Sequence, residues 1–569
     1  MNVNYALRRA RQHHGDRTAT DHDGQVVTYR EFAAQVEASA RRLAGLDIRA
    51  GDRVAVLMGN SPAYLDLYFS LPLLGALIVP LNTRWHSTEV VFTLNDSGAA
   101  WLIVDDRFAA MAAQVRHEAP ALKGILYYAP GACPEVIFTL NDSGAAWLTV
   151  DDRFAAMAAQ VRHEAPALKG ILYYAGGACP EGLIDFRTLP AHPDAAFGEP
   201  DEDDLVGLFY TSGTTGGPKG AMLSHRNLYS NAVHAMLPPS FVEPDSRYLH
   251  VAPMFHLADV AMILALTLSG SSHSFLPSFD PEVVLAAIQR YRITSMVLVP
   301  TMINLIVHHP SFGKFDLSSL RRVSYGASPM PLSLLKTAME KLKCKFSQGY
   351  GMTETSPLLT VLLPEEHRME EGYEAVQSAG RAVMGVEVRV VDGMDRDVPV
   401  GEVGEIIARG PNVMRGYWNR PEISADALRG GWMHTGDLGR FDQQGYLYVM
   451  DRKKDMIKPG GENVYSPEVE SVLCAHPAVL EAAVIGIPDA KWGEAIRAVV
   501  ALRPGESLSE ADLIAWCRAR ATHFKCPSSV VFTDMLPKGG TGKVQKNVLR
   551  ERFGGNAGTK STGGGSATH

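Results

Sequence analysis

The chain is poor in the features that mark many protein classes. Its six cysteines, Cys133, Cys179, Cys344, Cys474, Cys517 and Cys526, are scattered, with no CxxC pair and no metal-ligand spacing. That excludes a disulfide framework and a zinc module and leaves reduced, mostly buried thiols. Positive charge is not in excess: 54 Lys and Arg against 62 Asp and Glu leave a net charge of −8. No broad cationic field exists to attract nucleic acid or anionic lipid. Long apolar runs are missing as well. The stretches near 65–81 and 296–307 are broken by Asp66, Pro72, Pro300 or Asn304, are too short to span a bilayer, and read as buried core. The amino terminus, MNVNYALRRARQHHGDR, carries basic residues with no apolar run or small-residue cleavage site after them. Neither a transmembrane segment nor secretion is expected, and a cytoplasmic location is.

What is present is a long chain, 569 residues at 46% hydrophobic and 20% charged, enough for large cores and more than one domain. It also repeats itself. Residues 92–135 recur almost letter for letter as 138–181, with Ile103 becoming Thr149 and Pro130 becoming Gly176. Each copy holds a strand candidate (WLIVDD or WLTVDD), a helical stretch and a second strand candidate (GILYYA), which makes one βαβ-like unit. Thr149 would bury a hydroxyl where Ile103 buries only hydrocarbon, so the first copy is expected in the sheet and the second loosely outside it. Elsewhere β-branched runs such as RVAVLM, SMVLVP and RRVSYG alternate with helical stretches, the pattern of a parallel-sheet α/β domain. The charged run DRKKD at 451–455 interrupts that pattern. A compact α+β segment of about a hundred residues follows it, and the Gly/Ser/Thr-rich end should be a disordered tail.

The strongest local signal is YTSGTTGGPKG at 210–220, preceded by the apolar LVGLF and followed by a helical stretch opening at Ser224. Glycines allow tight turns, hydroxyls donate to phosphate oxygens, and Lys219 offers a charge-assisted contact. It is a phosphate-holding loop but not a Walker A loop: no GxxxxGK[ST] occurs, and Gly542-Lys543 is followed by Val544.

That loop resembles the signature of adenylate-forming enzymes, the acyl-CoA synthetases, aryl-CoA ligases, luciferases and peptide-synthetase adenylation domains. The other motifs of that superfamily follow in order: GYGMTET at 349–355, GEIIARGPNVMRGYW at 404–418, HTGDLGRF at 434–441, DRKKDMIKPGGENVYSPEVE at 451–470 and PKGGTGKVQK at 537–546. The resemblance covers roughly residues 5 to 553. It implies an α/β fold with a large N-terminal domain of layered β-sheets with helices (1–450), a hinge (451–455), a small mobile α+β C-terminal domain (456–553) and a tail (554–569).

Carried over by position, the resemblance implies that Thr211, Ser212, Gly213, Thr214, Thr215, Gly216 and Lys219 hold the β- and γ-phosphates of ATP. Thr353 bonds the α-phosphate and Glu354 binds Mg2+, as suits a carboxylate facing a hard cation. Gly326 and Ala327, with Gln348, Gly349 and Tyr350, resemble the adenine shelf. Asp437 accepts from the ribose hydroxyls, Arg452 contacts ribose or phosphate, and Lys454 is the hinge. Lys543 is the expected catalytic lysine: a cation between the attacking carboxylate and the α-phosphate removes repulsion and stabilises transition-state charge. Lys453, Lys538 and Lys546 read as solvated surface charges.

The resemblance further implies a domain rotation about Lys454 between two half-reactions. In the second, the loop 458–463 beginning at Lys458 replaces Lys543, with Gly460 and Gly461 lining a tunnel for the pantetheine arm of coenzyme A. His256 in APMFHLAD matches a position that gates the acyl site, and Asp259 stands where many relatives carry glycine, which would alter pocket or gate. The candidate pocket segments, 256–262, 299–302, 325–327 and 349–352, hold no Arg or Lys. A monocarboxylic fatty or aryl acid follows, the fuller resemblance being nearest to medium- and long-chain fatty-acyl-CoA ligases. A carrier-loading ligase, a luciferase-like second step and a non-catalytic nucleotide- or acyl-binding protein stay open, as does a homodimer.

Overall fold

The computed structural model describes residues 2–129, 147–150, 170–173, 184–185, 197–211, 218–237, 241–370, 372–538 and 544–555. Contacts divide the chain into two units. The first takes in 1–328, 336–389 and 407–435; the second takes in 329–335, 390–406 and 436–569.

Two nine-stranded sheets dominate the first unit. In one, the strands Arg247–His250, Ser295–Leu298, Arg322–Gly326 and Lys345–Gly351 lie side by side and parallel. The antiparallel strand Leu358–Leu362 pairs with the last of these. Their apolar residues are buried, among them Met296, Leu298, Val323, Tyr325 and Phe346, as sheets covered on both faces require. Helices are punctuated as their sequences dictate. Pro281–Tyr291 opens with Asp280 accepting from Glu282 N and Val283 N, and Pro281 stands where no N–H is needed.

In the other sheet the hairpin strands Leu205–Thr211 and Lys219–Ser224 pair antiparallel. Leu77–Pro80, Arg53–Leu57, Trp101–Asp105 and Gly124–Ala129 continue the order. The first repeat copy thus forms the expected βαβ unit, with Trp101–Asp105 paired parallel to both Arg53–Leu57 and Gly124–Ala129. The second copy is not loose: Trp147–Val150 pairs parallel with Gly124–Ala129, and Gly170–Tyr173 with Trp147–Val150. An open parallel edge offers unpaired backbone groups to any strand of matching length, and the duplicated strands take it up. The helical stretch of the second copy lies outside the described residues.

Within the second unit a three-stranded sheet, Val479–Asp489, Gly493–Leu502 and Ser529–Phe532, carries the helices Ser466–Cys474, Glu510–Arg518 and Lys546–Phe553. Its core joins Val469, Leu473, Val484, Val500 and Leu513. Cys344, Cys474, Cys517 and Cys526 are free thiols. Among the described residues no helix is long and apolar enough to cross a membrane.

Candidate active site

Thr211 and Lys219 face each other as the last pair of their hairpin, where the Gly/Ser/Thr-rich run begins and ends. Thr211 Oγ1 lies 3.5 Å from Lys219 O. Ser212, Gly213, Thr214, Thr215 and Gly216 lie outside the described residues. This end of the hairpin is anchored: Tyr210 Oη donates to Asp96 Oδ2 at 2.7 Å, and Asp96 also pairs with Arg420 at 2.7 Å. Its backbone carbonyl accepts from Trp418 Nε1 at 3.1 Å. Asp96 belongs to the first repeat copy, which therefore supports the hairpin end.

The motif 404–418, known from the sequence only as a family signature, turns out to organise the site. Trp418 N donates to Gly220 O at 2.8 Å, and Met414 N to Glu354 O at 2.8 Å. Tyr417 Oη donates to Glu354 Oε1 at 2.8 Å, and Lys219 Nζ stands 5.5 Å from the centre of the Tyr417 ring. One aromatic side chain thereby touches both Lys219 and the carboxylate, which is only 5% exposed. Burial, then the Glu354 charge and its hydrogen bond, push the Tyr417 phenol well above its ordinary value, so it stays a donor. Sequence reasoning missed Tyr417. The available signal was a hydroxyl-bearing aromatic inside a quoted motif, without any indication of its partner.

Gly326 and Gly349 are register partners at the ends of adjacent parallel strands. A Cβ on Gly326 would lie 2.4 Å from Gly349 O, and one on Gly349 would lie 2.8 Å from Leu358 Cδ2. A side chain at Gly326 would run into backbone, whereas one at Gly349 would have to displace the tip of Leu358; Gln348 and Tyr350 flank Gly349. Ala327 follows with φ of 68°, an uncommon backbone conformation for a residue with a side chain. Thr353 and Glu354 lie on the short turn Thr353–Thr355 immediately beyond.

His367 is tied to Tyr325, the residue before Gly326. Its Nδ1–H donates to Leu363 O at 2.8 Å, so Nε2 accepts from Tyr325 Oη at 3.1 Å. The ring is neutral, and burial pushes its pKa down from 6.5 to about 4. The folded value lies below the unfolded one, so the stabilisation is fully present above pH 6.5 and is lost as pH falls through about 4. Holding the ring neutral over that range means that its full protonation costs the fold about 3 kcal/mol. Urea melts of the wild type between pH 6.5 and 4 should lose stability with a proton-uptake slope that His367→Gln flattens.

His256 caps the helix Leu257–Ser269, its Nδ1 accepting from Ala258 N at 3.3 Å. Asp259, expected to alter the pocket, is fully buried and turned away from solvent. It binds His250 Nδ1 at 2.6 Å and Tyr248 Oη at 3.2 Å, and His250 Nε2 meets His273 Nδ1 at 2.9 Å. Its carboxyl group is engaged within this internal network.

In the second unit Asp437 and Arg452 are cross-strand partners, with Arg452 Nε 3.5 Å from Asp437 Oδ1. Lys453 and Lys454 are exposed, Lys453 pairing with Glu405 at 3.3 Å. Lys458 is exposed and its backbone N donates to Glu494 at 2.6 Å. Gly460 and Gly461 have φ of 63° and 91°, which is itself a reason for glycine. A Cβ on Gly460 would meet the Trp492 ring at 2.9 Å, whereas one on Gly461 would meet nothing within 4 Å. Lys543 lies outside the described residues. The two lysines around it, expected as surface charges, are not: Lys538 pairs with Glu481 at 2.5 Å, and Lys546, 15% exposed, pairs with Glu470 at 2.7 Å.

The AMP-binding enzyme family model matches residues 7–418, and the AMP-binding enzyme C-terminal domain model matches 468–543. The chain belongs to the adenylate-forming enzymes. Among its relatives this ligase is 38% identical over 543 residues to a feruloyl-CoA synthase of Amycolatopsis sp, covering 94% of this chain and 96% of that one. It is 35% identical to a long-chain-fatty-acid–CoA ligase of Mycobacterium tuberculosis, covering 93% of each. Its fold matches the o-succinylbenzoate CoA synthetase of Bacillus subtilis in complex with its acyl-adenylate intermediate, at TM-score 0.76 and 30% identity over 96% of this chain and 97% of that one. The α/β architecture with a large N-terminal and a small C-terminal domain is thus that of the ATP-dependent, AMP-forming acyl- and aryl-CoA ligases.

Enzymes of this family use ATP, Mg2+ and CoA, and the same Bacillus synthetase is also known with ATP and a magnesium ion. The residues here fit such a metal. Among the described residues no cluster of three or more His, Cys, Asp or Glu could enclose an ion, but magnesium that keeps water and phosphate ligands needs only one or two protein carboxylates. Glu354, buried and oriented by Tyr417, is one. When bound with ATP, the ion spreads and neutralises phosphate charge.

Proposed function

We propose that this ligase activates a medium- or long-chain fatty acid in the cytoplasm, first as acyl-AMP and then as acyl-CoA. The observation that carries the substrate reading is the chemistry of the candidate pocket segments. They hold no Arg or Lys, their one carboxyl group, on Asp259, is engaged by His250 and Tyr248, and the Tyr325 hydroxyl is engaged by His367. An apolar tail suits such walls, and a second carboxylate does not. Aryl acids are the second reading, favoured by the similarity to a feruloyl-CoA synthase.

In this proposal Thr211, Ser212, Gly213, Thr214, Thr215, Gly216 and Lys219 hold the β- and γ-phosphates, and Thr353 bonds the α-phosphate. Glu354 supplies the metal carboxylate. Gly326, Ala327, Gln348, Gly349 and Tyr350 receive adenine, Asp437 receives the ribose, and Arg452 contacts ribose or phosphate. The substrate carboxylate attacks the α-phosphorus while the bond to pyrophosphate breaks, with Lys543 offsetting the charge between the two anions. The domains 1–450 and 456–553 then turn about Lys454 in the hinge 451–455. The loop from Lys458, with Gly460 and Gly461, admits the pantetheine thiol, which attacks the acyl carbonyl and expels AMP. His256 gates the acyl site, and self-association as a homodimer is part of the same reading, to be read by light scattering.

ATP–pyrophosphate exchange and CoA-dependent AMP release across a panel of fatty and aryl acids test it. Fatty acids should lead aryl acids by at least about tenfold in kcat/KM, the scale on which apolar pockets discriminate. Aryl acids leading would overturn the substrate reading, and exchange without CoA dependence would point to a carrier-protein acceptor.

A further inference from the structure

The helix Lys546–Phe553 begins three residues after Lys543. Lys546 and Arg550 lie four residues apart and so share one face of it. Lys546 Nζ reaches Glu470 Oε1 at 2.7 Å and also donates to Ser466 Oγ. Ser466 in turn donates both its backbone N–H and its hydroxyl to Asp451 Oδ2, each at 2.7 Å, and Asp451 Oδ1 accepts from Arg452 N at 2.7 Å. One turn further along, Arg550 Nη2 pairs with Asp455 Oδ1 at 2.7 Å. Asp451 and Asp455 are both buried, and they stand on either side of Lys454.

We propose that Lys546 and Arg550 are positioning residues: a two-point clasp that fastens the helix following the Lys543 loop to both sides of the 451–455 segment. The inference rests on the reading of Lys543 as the adenylation lysine and Lys454 as the hinge. The near end of the same loop is also fastened. Lys538 pairs with Glu481 at 2.5 Å, Lys538 and Val544 form an antiparallel bridge, and Gln545 N donates to Pro537 O at 2.8 Å. The described residues on either side of 539–543 are therefore set by partly buried ion pairs.

Such a clasp is firm because releasing it is costly. Desolvation alone would push the Lys546 ammonium down, but Glu470 and Asp451 reverse that and hold it above the usual lysine value. Removing the cation leaves Glu470 and Asp451 short of a partner in a site with little water, which costs more than a surface pair would. A catalytic cation displaced by even an ångström loses much of its effect on the transition state.

The test compares the full chain carrying Lys546→Met, Lys546→Arg, Ser466→Ala, Arg550→Met and Lys543→Ala. Acid-dependent pyrophosphate exchange, thioester formation from supplied acyl-adenylate and CoA, and thermal melting are measured for each. Lys546→Met should lower the kcat of exchange at least about tenfold with KM for acid and ATP nearly unchanged, and Lys546→Arg should restore most of it. If Lys546→Met does not fold, Ser466→Ala, which keeps the Glu470 pair but removes the hydroxyl that joins Lys546 to Asp451, should lower exchange below that of Lys546→Arg. Wild-type exchange in folded Lys546→Met and Arg550→Met, alongside loss in Lys543→Ala, overturns the clasp and spares the site reading. Unimpaired exchange in Lys543→Ala instead removes the site reading and the clasp with it.

Discussion

Lys543→Ala is expected to lower acid-dependent pyrophosphate exchange by about 10²–10³-fold, the loss seen when one preorganised group that stabilises transition-state charge is removed. The physical reason is specific to the first half-reaction. A carboxylate must approach a polyanionic phosphate chain, and the cation that screens that approach is needed only while the bond to the α-phosphorus forms. Attack of a thiol on the acyl-adenylate has no such pair of anions. Thioester formation from supplied acyl-adenylate should therefore survive in the variant to within about tenfold, and Lys543→Arg should recover part of the exchange. Equal loss of both half-reactions would contradict the assignment of Lys543 to adenylation alone.

Glu354→Gln is expected to have the second-largest effect, a fall of about 10²-fold in kcat/KM for ATP with a raised magnesium requirement. Gln preserves the shape of the side chain and can still accept from Tyr417, so the change isolates the charge. Tyr417→Phe is the graded companion: it keeps the ring over which Lys219 sits and removes only the hydroxyl at 2.8 Å from Glu354. A hydrogen bond to a charged group is worth about 1.5–3 kcal/mol, so a fall of roughly tenfold or more is expected. Calorimetric titration of ATP at increasing magnesium reads both variants without turnover. Affinity that rises with magnesium as in the wild type would remove Glu354 from the metal role.

The site was legible where its chemistry is local in the chain. The glycine- and hydroxyl-rich run at 210–220 could be singled out because tight turns demand particular residues, and GYGMTET, Gly326 and Gly349 because they resemble family motifs. The parts that were missed depend on partners far away along the chain. Tyr417 meets Glu354 from 63 residues away and Lys546 meets Ser466 from 80 residues away. A lysine in a Gly/Thr-rich motif looks solvated until the acids that surround it are known. Asp259 was visible as a departure from the family pattern, but a single letter could not reveal that His250 and Tyr248 engage its carboxyl group.

The repeat divides along the same line. Comparison of the chain with itself establishes the duplication at 92–135 and 138–181, and the pattern within one copy establishes a βαβ unit. Where the second copy goes was decided by sheet pairing: a parallel edge accepts strands through backbone groups, which are the same for Thr149 as for Ile103. By itself, then, the sequence determined the family, the order of the motifs and the residue types at each chemical position, because these are set by local backbone geometry and by the charge each step needs. Only the tertiary structure decided which buried partners hold Glu354, Lys546 and Asp259, because hydrogen bonds and ion pairs between distant segments depend on how sheets and helices bring them within about 3 Å of one another.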